Sequence, residues 1–125
     1  MIDHISIGVR DLERSARLYE RALAPLGFSL LVTRPGTVGF GKSYPEFWIN
    51  LRPEMPQVAP ESGCHICLRA KSAAEVDAFH AAALDAGATS DGAPGLRPHD
   101  RVRYYAAFVV DPDGNRIEAV TFPAD

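Results

Sequence analysis

The chain is poor in several features that would fix its class at once. No apolar run approaches the roughly 20 residues that a membrane-crossing helix needs, so a membrane partner is not expected. Basic residues do not outnumber acidic ones: the net charge is −3, which leaves no general electrostatic case for nucleic acid or an anionic surface. Met1 leads within two residues into a strand, leaving no room for a signal peptide, and a cytoplasmic location is expected. There are two cysteines, Cys64 and Cys67, spaced as C-x-x-C. The redox form of that motif sits at a helix N-terminus, whereas Cys64-His65-Ile66-Cys67-Leu68 reads as a strand. Positions three apart on a strand point to opposite faces with Cα atoms about 10 Å apart, beyond the roughly 7 Å that a disulfide spans. A second ligand pair for a structural zinc is also missing. Buried free thiols are predicted.

What is present is a repeat. His4-Ile5-Ser6-Ile7 and His65-Ile66-Cys67-Leu68 each precede a polar turn and an amphipathic helix, and the two histidines stand 61 positions apart. Recurrence of that kind is the mark of a duplicated βα unit. The 125 residues, 46% hydrophobic and 23% charged, suit one globular domain that buries about two-thirds of its unfolded surface.

Periodicity and punctuation extend the repeat. Ile5, Ile7 and Val9 alternate with His4, Ser6 and Gly8, giving a strand with one apolar face. Asp11 is an N-cap, and Leu12, Ala16, Tyr19, Leu23 and Leu26 fall at helical spacing; Pro25 restricts Ala24 and ends the regular helix there. Strands are predicted at 28–34, 37–41 and 46–51, the first two separated by the Pro35-Gly36 turn. A segment with three prolines, 52–63, reads as a linker. The second unit predicts a strand at 64–69, an S-x-x-E capping box at Ser72–Glu75, and a helix face of Val76, Phe79, Ala83 and Ala86 before Gly87. A weak strand at 88–90, a Gly/Pro/Arg-rich loop at 91–101, and strands at 103–110 and 115–122 about the Asp111-Pro112-Asp113-Gly114 turn complete it. The expected organisation is one domain over 1–125: module one 1–51, linker 52–63, module two 64–125, each module βαβββ.

Aligning Trp48-Ile49-Asn50-Leu51 with Arg116-Ile117-Glu118-Ala119 puts Asn50 and Glu118 on the same side as His4 and His65. Four symmetry-related positions then carry His, Asn, His and Glu. Three of these, two imidazoles and a carboxylate, are good ligands for a first-row metal.

The two βαβββ modules, Ile2-Asp3-His4-Ile5, Gly63-Cys64-His65-Ile66 and Asp111-Pro112-Asp113-Gly114-Asn115-Arg116-Ile117-Glu118 together resemble the vicinal oxygen chelate superfamily. That group includes glyoxalase I, extradiol dioxygenases, fosfomycin-resistance enzymes and bleomycin-resistance proteins. The resemblance covers essentially the whole chain. It implies an α+β fold in which two βαβββ modules form a curved, cup-shaped mixed sheet with helices on the convex face. It also implies a homodimer, with the cup built either within one chain or by exchange of modules between chains. His4, His65 and Glu118 match three of the family's metal-ligand positions, for a divalent ion (Zn, Ni, Mn or Fe). Asn50 departs from glyoxalase I, where a carboxylate serves as ligand and proton shuttle; an amide has no useful pKa as a base.

The stretch 95–105 holds Arg97, Arg101, Arg103, His99 and two tyrosines. It reads either as recognition of an anionic substrate or as a charged loop entering a strand. Alternation sends one of Tyr104 and Tyr105 to the cavity without saying which. The substrate-binding set is therefore Asn50, Trp48, Arg103, Tyr104 and Tyr105, with Glu118 or His99 as the catalytic base. Two functions fit: a metalloenzyme in which a His-His-Glu-bound ion acts as Lewis acid on an oxygen-bearing small molecule, by lyase, isomerase or dioxygenase-type chemistry, or a metal-independent small-molecule binding protein of the bleomycin-resistance type.

Overall fold

The alternating apolar set of the first segment forms β1 (Ile5–Val9). Asp11 leaves it in an extended conformation, and its carboxylate accepts the Arg14 N–H, capping α1 (Leu12–Leu23). Leu18, Tyr19, Ala22 and Leu23 are buried on one side of that helix. Pro25 sits in a short 3-10 turn over Ala24–Leu26, closed by Gly27 at φ 87°. Three strands follow: β2 (Ser29–Arg34), β3 (Thr37–Gly41) and β4 (Pro45–Leu51).

Module two repeats the plan as β5 (Ile66–Arg69), α2 (Ala73–Asp85), β6 (Thr89–Arg97), β7 (Tyr104–Val110) and β8 (Arg116–Thr121). The capping box is made with a shift. Ser72 accepts the Glu75 N–H, but Glu75 reaches back to the Lys71 N–H at 2.6 Å, one residue before the cap. This computed structural model describes residues 1–124, and Asp125, the last residue assigned to module two, lies outside them.

Each module is a four-stranded mixed sheet, ordered β1-β4-β3-β2 and β5-β8-β7-β6, with β1 parallel to β4 and β5 parallel to β8. The sheets are open and curved, and the helices cover their convex side. Val9, Phe47, Ile49 and Leu23 from module one share a core with Val76, Phe79, Val109 and Ile117 from module two. Tyr19 and Phe47 pack at a ring separation of 5.1 Å.

The modules are also joined by a buried polar clamp around the β7–β8 turn. The Asp113 carboxylate, fully buried, accepts the backbone N–H and Nε of Arg10 and faces Arg14 at 3.4 Å. Asp111 accepts the Tyr19 hydroxyl at 2.7 Å together with the Asp113 and Asn115 N–H groups. Burial pushes its carboxyl pKa up, and those hydrogen bonds pull it back in part. Asn115 Nδ2 donates to the Gly8 carbonyl at the end of β1. The linker crosses the turn, Val58 N–H donating to Asp113 O. Gly114 (φ 91°) allows this approach, since a Cβ there would meet the Val58 oxygen at 2.5 Å.

Three expectations need correction. The segment after Ala88 is not a short strand and a loop: β6 runs nine residues. It is an edge strand, which tolerates Pro94, and its register shifts fall between Ser90 and Gly95. Cys64 precedes β5 and Cys67 lies on an edge strand, so both thiols are exposed rather than buried. Finally, the ladders shift the predicted symmetry. Ser6 pairs with Trp48 as Cys67 pairs with Glu118, and Gly8 pairs with Asn50 as Arg69 pairs with Val120. Trp48 is therefore the counterpart of Glu118. Asn50 lies on the same face, two residues further along.

Candidate functional site

The concave face of module two gathers side chains from three strands. Glu118 stands opposite Cys67 on one side and Phe108 on the other, and it is 2% exposed. A carboxylate so buried needs partners, and it has two. His65 Nε2 lies 3.0 Å from Oε1, and the Tyr104 hydroxyl donates to Oε2. Burial, then the hydrogen bond to Glu118, drives the Tyr104 pKa far up, so this group holds its proton at any physiological pH. Cys67 is pushed up to about 12, first by desolvation and then by the Glu118 charge.

His99 stacks on Tyr104 with ring centroids 5.9 Å apart and planes 10° apart, and Phe122 meets Tyr104 edge-on. His99 Nδ1 accepts the N–H groups of Arg101 and Val102, which puts the proton of the neutral ring on Nε2. The tyrosine question is thereby resolved: Tyr104 faces the concave side, whereas Tyr105 turns outward and donates to Asp77 on α2. Arg103 binds the Ala124 carbonyl, apart from this cluster.

Module one presents a second group. His4 sits just before β1, its side chain half exposed, with Nδ1 2.8 Å from Asp3 Oδ2; Tyr44 donates to the other Asp3 oxygen at 3.0 Å. Those hydrogen bonds, His4's first, hold the Asp3 carboxyl below its usual pKa. A carboxylate on Nδ1 fixes the tautomer that presents a free Nε2, the usual support of a ligating histidine. Asn50 Oδ1 accepts the Thr37 hydroxyl at 2.6 Å. His4, Ser6, Arg34, Thr37, Trp48 and Asn50 line a hollow of about 500 Å³. Sequence reading missed Asp3, Tyr44, Thr37 and Arg34. Asp3 was visible as the neighbour of His4; the others depend on strand pairing and loop closure.

The predicted residues thus fall into two sets: His65, Glu118, Tyr104 and His99 on module two, and His4, Trp48 and Asn50 on module one. Among the described residues, no three His, Cys, Asp or Glu side chains converge as a metal site. His4 and His65 nevertheless line one cavity of about 350 Å³, together with Ile5, Phe47, Ile66 and Cys67.

Family comparison agrees with this architecture. The sequence model of the Glyoxalase/Bleomycin resistance protein/Dioxygenase superfamily matches residues 1–119, and the chain belongs to that superfamily. A glyoxalase/bleomycin resistance protein from Albidiferax ferrireducens is 31% identical, with 98% of this chain and 99% of that chain covered and a TM-score of 0.86. Two more distant structures share the fold. One, a glyoxalase/bleomycin resistance protein/dioxygenase from Alicyclobacillus acidocaldarius, is 17% identical, with 100% and 93% covered and a TM-score of 0.71. The other, a genomically encoded fosfomycin resistance protein from Listeria monocytogenes, is 16% identical, with 96% and 91% covered and a TM-score of 0.67. No curated protein matches the chain in sequence.

Proposed function

We propose that the protein is a homodimeric, metal-dependent enzyme acting on a small oxygen-bearing molecule, with the ion held by His65 and Glu118 of one chain and His4 of a second copy. The carrying observation is the 3.0 Å approach of His65 Nε2 to a buried Glu118 carboxylate whose other oxygen is fixed by Tyr104. An imidazole nitrogen and a carboxylate oxygen held together in this way could serve as two ligands of one divalent ion. Among the described residues no third donor converges with this pair. His4, oriented by Asp3 and half exposed, lines a cavity with His65 of its own chain, and in this reading the His4 of a second copy completes the set.

Bound there, the ion would supply Lewis acidity to a substrate oxygen. The chain's own groups do the rest. Tyr104 keeps its proton and locks the rotamer of Glu118. His99, stacked on Tyr104, carries its proton on Nε2, because Nδ1 accepts two backbone N–H groups, and offers that N–H to a substrate oxygen as a hydrogen-bond donor. Asn50 binds by hydrogen bonding without moving a proton. The exposed free thiols Cys64 and Cys67 suit a reducing, cytoplasmic setting; among the described residues no helix is long and apolar enough to cross a membrane.

Metal analysis of untagged protein is the test, with His4→Ala, His65→Ala and Glu118→Gln each expected to abolish stoichiometric uptake. A mixture of His4→Ala and Glu118→Gln chains discriminates further. A site shared between copies recovers one intact site per mixed dimer, whereas a site within one chain recovers none. Substoichiometric metal that is unchanged in all variants would remove the proposal. The half-buried Trp48 in its hollow favours one second reading, a metal-free binding protein of the bleomycin-resistance type, with Trp48 as its contact surface.

A further inference from the structure

The module-one hollow has a chemistry of its own. Its lining (His4, Ser6, Arg34, Thr37, Tyr44, Pro45, Trp48, Asn50) contains no carboxylate. Arg34, at the end of β2, holds its guanidinium 5.6 Å from the centre of the Trp48 ring. Among the described residues it makes no hydrogen bond or ion pair, whereas Arg10, Arg14, Arg17, Arg21 and Arg116 are each paired with a carboxylate. Glu13 lines a separate depression that Arg34 also borders, and it pairs with Arg17. The indole lies close against its own sheet. It rests on β3 where Gly39 has no side chain, and a Cβ there would come within 2.9 Å of the ring.

Asn50 completes the arrangement. Its 2.6 Å contact with the Thr37 hydroxyl falls in the O–H···O range and below the usual N–H···O range. In this structure the Asn50 amide oxygen accepts the Thr37 hydroxyl, which also approaches the Ile49 carbonyl at 3.0 Å, and the NH2 group is left to donate. One planar cation without an ion-pair partner, one amide donor and one aromatic surface are what a flat organic anion requires; the Asp3 carboxylate beside the hollow is already held by His4 and Tyr44.

We propose that this hollow is a recognition subsite for planar carboxylate-bearing small molecules, in which Arg34 takes the carboxylate, Asn50 donates to it and Trp48 supports the ring. As the substrate class of the enzyme it rests on the reading above; as a binding site it stands on module one alone.

Trp48 is the only tryptophan in the chain, so its fluorescence reports on this hollow directly. The experiment titrates the full-length, chelator-treated protein with benzoate and with benzamide, its neutral isostere. Saturable quenching by benzoate at least about tenfold tighter than by benzamide is expected, equivalent to about 1.4 kcal/mol. Arg34→Gln should erase the preference, and Arg34→Lys, which keeps the charge but loses the fork, should retain part of it. Equal response to the two probes, no saturable response to benzoate, or an undiminished preference in Arg34→Gln each overturns the proposal. Arg34 is exposed and outside the core, so circular dichroism of the variants should be unchanged. Because the titration is done without metal, a preserved benzoate preference in a protein that takes up no metal sinks the metalloenzyme reading and leaves the subsite standing. Stoichiometric metal with no preference does the reverse.

Discussion

The two modules share an element order, a strand order and a ladder register, yet they hold opposite chemistry at equivalent positions. Where module two has Glu118, buried and bound on both oxygens by His65 and Tyr104, module one has Trp48, half-buried between Gly39 of β3 and the Arg34 guanidinium. Where His65 turns its Nε2 to that carboxylate, His4 turns Nδ1 to Asp3 and leaves Nε2 free. One face is closed on itself and the other is open to a ligand. Duplication fixed the scaffold, and in the proposed reading the divergence of concave-face residues divides the work: module two would supply the anchored acid, module one the remaining donor and the contact surface.

The hardest blow to this comparison comes from separating the modules. Asp113→Ala removes the buried anion that Arg10 and Arg14 share. Both arginines can partly rehydrate, so the cost should lie near the low end for a broken buried pair, about 3 kcal/mol. Urea unfolding should show it, with Arg17→Ala, an exposed i,i+4 pair, changing stability by no more than about 0.5 kcal/mol. A loss at Asp113 no larger than that of the control would mean that the clamp does not join the modules. A smaller effect separates the two histidines. Asp3→Ala should weaken metal uptake by about 10- to 100-fold, as loss of a carboxylate behind a ligating imidazole does, while Thr37→Val, behind Asn50, leaves uptake unchanged. If the two variants behave alike, His4 is not a ligand. Smaller again is the effect at the helix starts. Asp11→Ala and Ser72→Ala remove equivalent caps and should each cost about 1 kcal/mol; clearly unequal losses would show that the two modules contribute unequally to folding.

Much of the fold was legible because it rests on local signals. Asp11 and Ser72 announce their helices, Pro25 ends the first, and the alternation of Ile5, Ile7 and Val9 gives the first strand its apolar face. β6 was not legible, because Gly92, Pro94 and Gly95 read as a loop when an edge strand with shifted register can carry them. The pairing of His65 with Glu118 could be anticipated from the repeat. The matching of Trp48 with Glu118 could not, since a two-residue offset in a ladder preserves the face and so leaves the alternation pattern unchanged. For the same reason sequence could not choose between Tyr104 and Tyr105. The choice was made by Asp77 on α2, which captures Tyr105, and by Glu118, which captures Tyr104.

The mildest probe leaves stability alone and reads the electrostatics of the closed face. Cys64 and Cys67 are both exposed, and exposure by itself would have them react alike with iodoacetamide. They should not. The thiolate is the nucleophile, and with its pKa raised to about 12 by desolvation and then by the Glu118 charge, Cys67 holds a thiolate fraction on the order of 10⁻⁴ at pH 8. Because the shift is upward, the reactive form is gained only as pH rises. Labelling of Cys67 should therefore accelerate about tenfold per pH unit through the alkaline range, while Cys64 is modified first at pH 8. Glu118→Gln removes the second of the two causes and not the first, so it should speed Cys67 labelling without bringing it level with Cys64. Mass spectrometry of the timed products distinguishes the sites. Equal rates at pH 8, or no response to Glu118→Gln, would mean that the carboxylate does not face the thiol, and the description of module two as the closed, anion-centred half would fail with it.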